Sequence, residues 1–180
     1  MKNDYTVYIL CLACCALPIH ALTAEHGNFS ISDVGVRVGF DGDTRVELNS
    51  YEVSLSIQTP WSLLEKEDIR AKVQIELGAG ALHGEDETGW FGHVGPAIEI
   101  EFGDFPVSFY ASSGPAVLSV YEFDTLDLGG TFQFMSSGGF NVKLSEQWTA
   151  AYRFQHISNA DIHDSNPGLD LHAVSISWGF

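Results

Sequence analysis

Basic residues, cysteines and long apolar runs are scarce in this chain, and each scarcity excludes a class of protein. The 180 residues include 8 Lys or Arg and 24 Asp or Glu, so the formal net charge is −16. Nucleic-acid binding depends on clustered cations that displace counterions from a polyanion. The charge balance therefore excludes a nucleic-acid partner. Hydrophobic residues still make up 45% of the chain, which excludes disorder by composition.

The cysteines are confined to a segment with the features of a secretory signal peptide. Residues 1–24 contain all three of them: Cys11, Cys14 and Cys15. Lys2 precedes an apolar run over residues 5–17, which Pro18 interrupts before it reaches the roughly 18 residues of a transmembrane helix. We expect residues 1–24 to be removed. The remaining domain, 25–180, would then have no disulfide, no thiol chemistry and no Cys-bound metal.

Alternation of apolar with polar or small residues recurs along the rest of the chain, whereas a helical period is not sustained. In residues 69–80, apolar side chains alternate with Arg70, Lys72, Gln74, Glu76 and two glycines. This period of two is typical of a strand with one apolar face. Eight segments with this pattern are predicted as strands: 34–40, 51–57, 69–79, 90–102, 107–118, 128–144, 148–158 and 172–180.

Two architectures fit eight such strands: a soluble barrel or sandwich with the apolar face inside, or a membrane barrel with that face outside. The polar face carries charges in mid-strand at Arg37, Lys72, Glu76 and Arg153, which a hydrated lumen can pair but a packed core tolerates poorly. Most segments also exceed the roughly five or six residues of a soluble strand. Aromatic residues mark the strand ends at Trp61, Trp90, Phe91, Phe105, Trp148, Trp178 and Phe180. We predict an all-β, eight-stranded antiparallel transmembrane β-barrel.

The connections between the strands alternate in character. With a periplasmic N-terminus, residues 41–45, 81–89, 119–127 and 160–169 would face outward, and residues 60–68, 103–106 and 145–147 would face the periplasm. The outward set is acidic. Residues 84–87, Gly-Glu-Asp-Glu, could gather divalent cations, but a run of like charge is more often a solvated loop. We predict no metal site.

Reactive side chains converge where the seventh strand ends and the eighth begins. Alternation places His156 and Ser158 on the face opposite Arg153, and Asp170 shares its face with the apolar residues of the eighth strand. A histidine can take the serine proton, and a carboxylate can orient the histidine. Asn159 or Asn166 could stabilise an oxyanion. Taken alone, the pattern is equally typical of a polar strand end followed by a turn.

This stretch resembles the signature of the PagL-type lipid A 3-O-deacylases, which are eight-stranded outer-membrane barrels. The resemblance rests on His-Ile-Ser-Asn-Ala at 156–160, Asn-Pro-Gly at 166–168 and the acid at 170. It implies that Ser158 is the nucleophile, His156 the base, Asp170 the triad acid and Asn166 an oxyanion-hole residue with Asn159 in support. Asp170 stands where the family usually has Glu, and Asp161 where Gly is common.

The resemblance also implies a function. The protein would be an outer-membrane serine esterase that needs no cofactor and removes the ester-linked 3-hydroxyacyl chain at the 3 position of lipid A in lipopolysaccharide. Its active site would face the outer leaflet, and a homodimer is left open. Two alternatives remain: a non-enzymatic small outer-membrane barrel that serves as an adhesin or structural anchor, and a soluble periplasmic barrel that binds an apolar ligand.

Overall fold

The protein is a barrel of eight long strands. The computed structural model describes residues 23–24, 28–42, 47–84 and 86–180. The barrel strands are β1 (Ser30–Asp41), β2 (Asn49–Lys66), β3 (Ile69–His83), β4 (Thr88–Glu101), β5 (Val107–Leu118), β6 (Phe132–Lys143), β7 (Trp148–Ser158) and β8 (Leu169–Gly179).

Every barrel strand pairs with its sequence neighbour in an antiparallel register, and β8 pairs with β1 to close the ring. Closure leaves no barrel strand with an unpaired edge. The predicted fold class is confirmed. A two-residue strand, Thr23–Ala24, pairs with β2 at Ser62 and Trp61. The rest of the expected signal peptide, residues 1–22, lies outside the described residues, and its removal stays a prediction.

The barrel is polar inside and apolar outside. Val36 and Val174, on the outer face, are 56% and 57% exposed, whereas Arg37 and Glu76, on the inner face, are 4% and 3% exposed. This distribution is the reverse of that in a water-soluble barrel and is the one that a bilayer requires. Among the residues that the structure describes, no helix has the length and hydropathy needed to cross a membrane.

Three of the buried charges in the lumen, Arg37, Glu52 and Glu76, form one cluster of ion pairs. Arg37 donates to Glu52 at 2.9 Å and to Glu76 at 2.7 Å, and Ser112 donates to Glu76 at 2.9 Å. A charge in a low-dielectric interior is tolerated when it has a partner and further hydrogen bonds. The prediction that the mid-strand charges pair inside the barrel is therefore confirmed for Arg37 and Glu76.

The two ends of the barrel are built differently. At the short-turn end, where residues 67–68, 102–106 and 144–147 join strands, the lumen holds a polar cavity of about 800 Å³ whose lining includes Lys72, Glu99 and Arg153. At the long-loop end, where residues 42–48, 84–87, 119–131 and 159–168 join strands, the lumen is filled by an apolar plug. The plug consists of Leu48, Leu82, Phe91, Ala116, Leu118, Phe123, Leu126, Leu128, Met135, Ile157, Leu169 and Leu171.

Three details of the sequence prediction are wrong. The connection expected at 60–68 is a turn at Glu67 and Asp68, because β2 continues past Pro60 through a break in its register with β3. Residues 128–131 are not part of β6, since they belong to a loop that places Leu128 in the plug. Phe91 is buried in the plug, because its position in β4 faces inward. The other predicted aromatic residues are exposed.

Candidate active site

The centre of the site is a histidine and an aspartate on adjacent strands. His156 of β7 and Asp170 of β8 are directly opposite each other in the register, and both face outward because their chain neighbours Ile157, Leu169 and Leu171 are buried in the plug. His156 Nδ1 lies 2.6 Å from Asp170 Oδ1. An ionised carboxylate only accepts hydrogen bonds, so Nδ1 carries the proton and Nε2 is left as the basic nitrogen.

The register also explains how an aspartate can take the position of a longer glutamate. Side chains that are directly opposite on antiparallel strands have Cβ atoms only about 4.5 to 5.5 Å apart. Asp170 and His156 form such a pair, so the shorter acid still reaches the imidazole. The structure thus brings together two of the three residues assigned to the triad.

Ser158 shares the outer face with His156 and lies two residues closer to the long-loop end. It is the last residue of β7 and pairs with Phe134 of β6. Among the described residues, no hydrogen bond joins Ser158 to His156, as is common in catalytic sites without substrate. Phe134 beside Ser158 provides an aromatic surface at the lipid-facing side of the site.

The two asparagines form a linked pair, but they face different ways. The Asn159 backbone N–H donates to Asn166 Oδ1 at 3.0 Å, and Asn166 Nδ2 donates to Asp161 Oδ1 at 2.9 Å. The Asn159 side chain is fully buried, and its amide donates to the carbonyls of Leu128 and Ser165. Asn159 therefore holds Asn166 through its backbone and holds two loops through its side chain.

A tight turn follows Asn159. Ala160 and Asp161 have φ values of 53° and 61°, and the Ile162 N–H donates to the Asn159 carbonyl at 3.1 Å. Two consecutive left-handed residues closed by this bond define a type I′ turn. The left-handed backbone explains why glycine suits position 161, and aspartate is among the residues that tolerate it. The Asp161 carboxylate in turn anchors Asn166.

The return strand approaches the histidine at a glycine. Gly168 has φ +70°, and a Cβ at this position would lie 2.9 Å from His156 Cε1. The absence of a side chain lets the backbone pass against the imidazole ring. Gly168 is part of the turn in the sequence prediction, but its contact with His156 is a feature that only the structure reveals.

A row of hydroxyls, which the sequence reasoning missed, continues from the histidine across the outer face. Ser136 of β6 is opposite His156, and Ser113 of β5 is opposite Ser136. Their Oγ atoms lie 2.9 Å apart. Both serines are more than nine-tenths buried on a face that is otherwise apolar. Each lies in a Ser-Ser-Gly sequence, at 112–114 and 136–138. This repeated sequence is the signal that could have identified them.

Three further histidines of the described residues have other partners. His93 faces the lumen, with Nε2 3.1 Å from Glu52 Oε1. His172 lies on the outer face, where Tyr152 Oη is 2.6 Å from its Nδ1. His163 lies against Gly130 of the loop between β5 and β6. Within the described ranges, no group of three or more His, Cys, Asp and Glu side chains is arranged to hold a metal ion, and Glu85 of the acidic 84–87 run lies outside them.

Comparison with known proteins gives matches in family, sequence and fold. The model of the PagL family, lipid A 3-O-deacylase, matches residues 49–179. The curated lipid A deacylase PagL of Bordetella bronchiseptica (strain ATCC BAA-588 / NCTC 13252 / RB50) is 33% identical over 70 residues, which are 39% of this chain and 39% of that protein. The chain thus matches about two fifths of the length of this relative.

Two solved structures share the fold. The crystal structure of the outer membrane enzyme PagL superposes with a TM-score of 0.71 at 21% identity, over 81% of this chain and 98% of that chain. The N-terminal β-barrel domain of Pseudomonas aeruginosa OprF superposes with a TM-score of 0.57 at 14% identity, over 88% and 100% of the two chains. With the family match over most of the barrel, these results show that the chain is an outer-membrane β-barrel and belongs to the PagL family of lipid A 3-O-deacylases.

Proposed function

We propose that this protein hydrolyses the ester that links a 3-hydroxyacyl chain to the 3 position of lipid A, with Ser158 as nucleophile. The observation that carries the proposal is the 2.6 Å contact between His156 and Asp170 on the outer face of the barrel. An ionisable pair on the lipid-facing surface of a barrel costs free energy. Because the protein belongs to the PagL family of lipid A 3-O-deacylases, this pair is a candidate for the catalytic base and the acid that orients it.

The chemistry follows from the placement of the protonated nitrogen. Asp170 holds the proton on His156 Nδ1, so that Nε2 can accept the proton of Ser158 as its Oγ attacks the ester carbon. The bond between the acyl carbon and the sugar oxygen then breaks, and the imidazolium protonates the departing sugar oxygen. Water attacks the acyl-enzyme with His156 again as the base, and this releases the 3-hydroxy fatty acid and restores Ser158.

The developing negative charge on the carbonyl oxygen needs donors near Ser158. Asn166 is bound to the backbone of Asn159, the residue after Ser158. This connection to the chain neighbour of Ser158 supports our assignment of the Asn166 amide to the oxyanion hole. Asn159 supports it from within the barrel wall. Donors fixed before the reaction begins stabilise such an oxyanion most effectively.

The position of the site suits a lipid substrate. His156 and Asp170 lie on the lipid-facing side at the long-loop end, where a lipid of the outer leaflet would present its ester bonds if that end faces outward. The exposed apolar outer face then provides a surface for acyl chains, with Phe132 and Phe134 in edge-to-face contact beside Ser158. No step of this mechanism requires a metal or another cofactor.

Mass spectrometry of lipid A tests the proposal. The full chain would be expressed in a Gram-negative host whose lipid A retains its 3-position acyl chain. Wild type should remove one hydroxyacyl chain, and Ser158→Ala and His156→Ala should remove none. Ser177→Ala and His83→Ala are matched controls, and both should be active. Ser177 lies on the inner face near the short turns, and His83 lies in the β3–β4 hairpin.

Two outcomes would contradict the proposal. If wild type leaves lipid A intact although the barrel reaches the membrane, the protein is a non-enzymatic barrel. If Ser158→Ala deacylates as fast as wild type, the serine assignment is wrong. Heat-dependent migration on SDS gels checks that each variant forms a closed barrel.

A further inference from the structure

An amide side chain is buried inside the apolar plug without an apparent structural need. Gln133 faces inward near the start of β6 and is 0% exposed, and its Oε1 has no hydrogen-bond partner among the described residues. Burial of an amide with an unsatisfied oxygen lowers stability relative to an apolar side chain. The amide nitrogen of Gln133, in contrast, donates two hydrogen bonds.

Gln133 binds the loop that joins β5 to β6. Its Nε2 donates to the Leu128 carbonyl at 3.0 Å and to the Gly130 carbonyl at 2.7 Å. The Gly129 N–H between them donates to Asp127 Oδ1 at 2.7 Å. These bonds fix the backbone of residues 127–130, which we call the support loop.

The support loop is hydrogen-bonded to the loop of the candidate active site, residues 159–168. Asn159 Nδ2 donates to the Leu128 carbonyl, which Gln133 also binds, and to the Ser165 carbonyl at 2.6 Å. Ser165 Oγ donates to the Asp127 carbonyl at 2.9 Å. A Cβ on Gly129 would lie 2.1 Å from the Ser165 carbonyl oxygen. The two loops therefore touch backbone to backbone, and this contact requires glycine.

These contacts flank the reacting groups on both sides. Asn159 directly follows Ser158, and Ser165 directly precedes Asn166. The Leu128 carbonyl thus connects Gln133 to the residue beside the nucleophile and, through Asn159, to the residue beside the oxyanion amide. A displacement of roughly 1 Å between such groups can reduce a rate about 100-fold.

We propose that Gln133 is a positioning residue, which sets the distance between Ser158 and Asn166 by fixing the support loop beneath them. Gln133 does not touch the substrate. The inference rests on the proposed function, since it concerns the rate of that reaction. It adds a residue from a different strand, β6, to a site whose other assigned residues all lie on the last hairpin.

The test compares steady-state kinetics of purified full-length variants on lipid A in detergent micelles. Gln133→Met keeps the length of the side chain but removes the donor. We expect kcat to fall about 10- to 100-fold, with KM within about twofold of wild type, because the acyl-chain surface is unchanged. Gln74→Met is the matched control, since Gln74 is also buried in the lumen and donates to Glu99 at the other end of the barrel. It should leave both constants within about twofold.

A second variant keeps the test valid if Gln133→Met fails to form a barrel on SDS gels. Ser165→Ala removes the other link to the support loop from the exposed rim and should lower kcat without changing KM. If Gln133→Met does form a barrel, the double variant Gln133→Met with Asn159→Ala should lose less activity than the product of the two single losses, because both residues bind the Leu128 carbonyl.

Each result has a distinct meaning. An active wild type with unchanged kcat in Gln133→Met, or in Ser165→Ala when Gln133→Met does not fold, overturns the positioning role and leaves the proposed function intact. Equal losses in Gln133→Met and Gln74→Met also overturn it, because they indicate a general effect on the barrel. An inactive wild type contradicts the proposed function, and the positioning role falls with it.

Discussion

The two ends of the barrel lumen differ, since one holds a polar cavity and the other an apolar plug. At the short-turn end, charged and polar side chains line a cavity of about 800 Å³. At the long-loop end, the apolar plug fills the lumen, and four of its members, Leu48, Phe123, Leu126 and Leu128, come from the connections between barrel strands rather than from the barrel strands themselves. The candidate active site lies on the outer face of the plugged end. We infer that the polar end serves stability and the plugged end serves the geometry of the site.

The largest expected effect lies at the plugged end. Asp170→Asn keeps the shape of the side chain but no longer requires the proton on His156 Nδ1, so the imidazole can adopt the wrong tautomer. We expect the deacylation rate to fall about 10⁴-fold with the stability of the barrel unchanged. Asp170→Glu is the control and should retain activity within about tenfold. A wild-type rate in Asp170→Asn would remove Asp170 from the triad.

At the polar end, the largest effect should be on stability. Arg37→Met leaves Glu52 and Glu76 buried without their shared cation, and we expect the free energy of unfolding to fall by about 3 to 5 kcal/mol. Denaturant unfolding of the barrel in lipid vesicles measures this change. The rate per folded molecule should stay within about twofold of wild type. A rate loss similar to that of a plug variant would break the distinction between the two ends.

A plug variant of similar stability sharpens the comparison. Phe123→Ala removes the largest loop side chain from the plug, and large-to-small changes of this kind cost about 3 to 5 kcal/mol. Here the loss of stability should be accompanied by a loss of up to about 10-fold in the deacylation rate, because the support loop packs on the plug through Leu128. The two variants together are decisive: equal rates would show that the plug has no influence on the site.

The smallest expected effect is at the turn beside the site. Ala160 is exposed and has φ 53°, a conformation that costs roughly 1 kcal/mol for a residue with a Cβ. Ala160→Gly should therefore raise the free energy of unfolding by up to about 1 kcal/mol and leave the rate unchanged. Ala150→Gly, in the first part of β7, is the control with ordinary backbone and should lower stability instead.

Much of the fold could be predicted because strand alternation is a local signal. The period of two places Arg37 and Glu76 inside and Val36 and Val174 outside without knowledge of any partner strand. The length of β2 could not be predicted, since Pro60 is a strand breaker whose accommodation depends on a register break with β3. Leu128 continues the alternation of β6 but belongs to the plug, because the loop around it folds back into the lumen.

The candidate site was predictable to the same extent. The meeting of His156 and Asp170 follows from hairpin parity, and the structure places them opposite each other. The contacts of Asn159 and Ser165 with the support loop were not predictable, because they join residues 31 and 38 positions apart, whose approach depends on the closed ring. A sequence signal for them exists only in parity, which directs both Gln133 and Asn159 inward.

The apolar plug also has an electrical consequence. Ions cross a barrel only through continuous water, and the plug residues Leu48, Leu82, Phe123 and Leu128 are each 1% exposed. We therefore expect the cavity at the polar end to stop at the plug and not to form one half of a channel. A planar bilayer that contains this barrel should hold an applied voltage as an insulator does, so a cell that makes the protein adds no leak to its outer membrane.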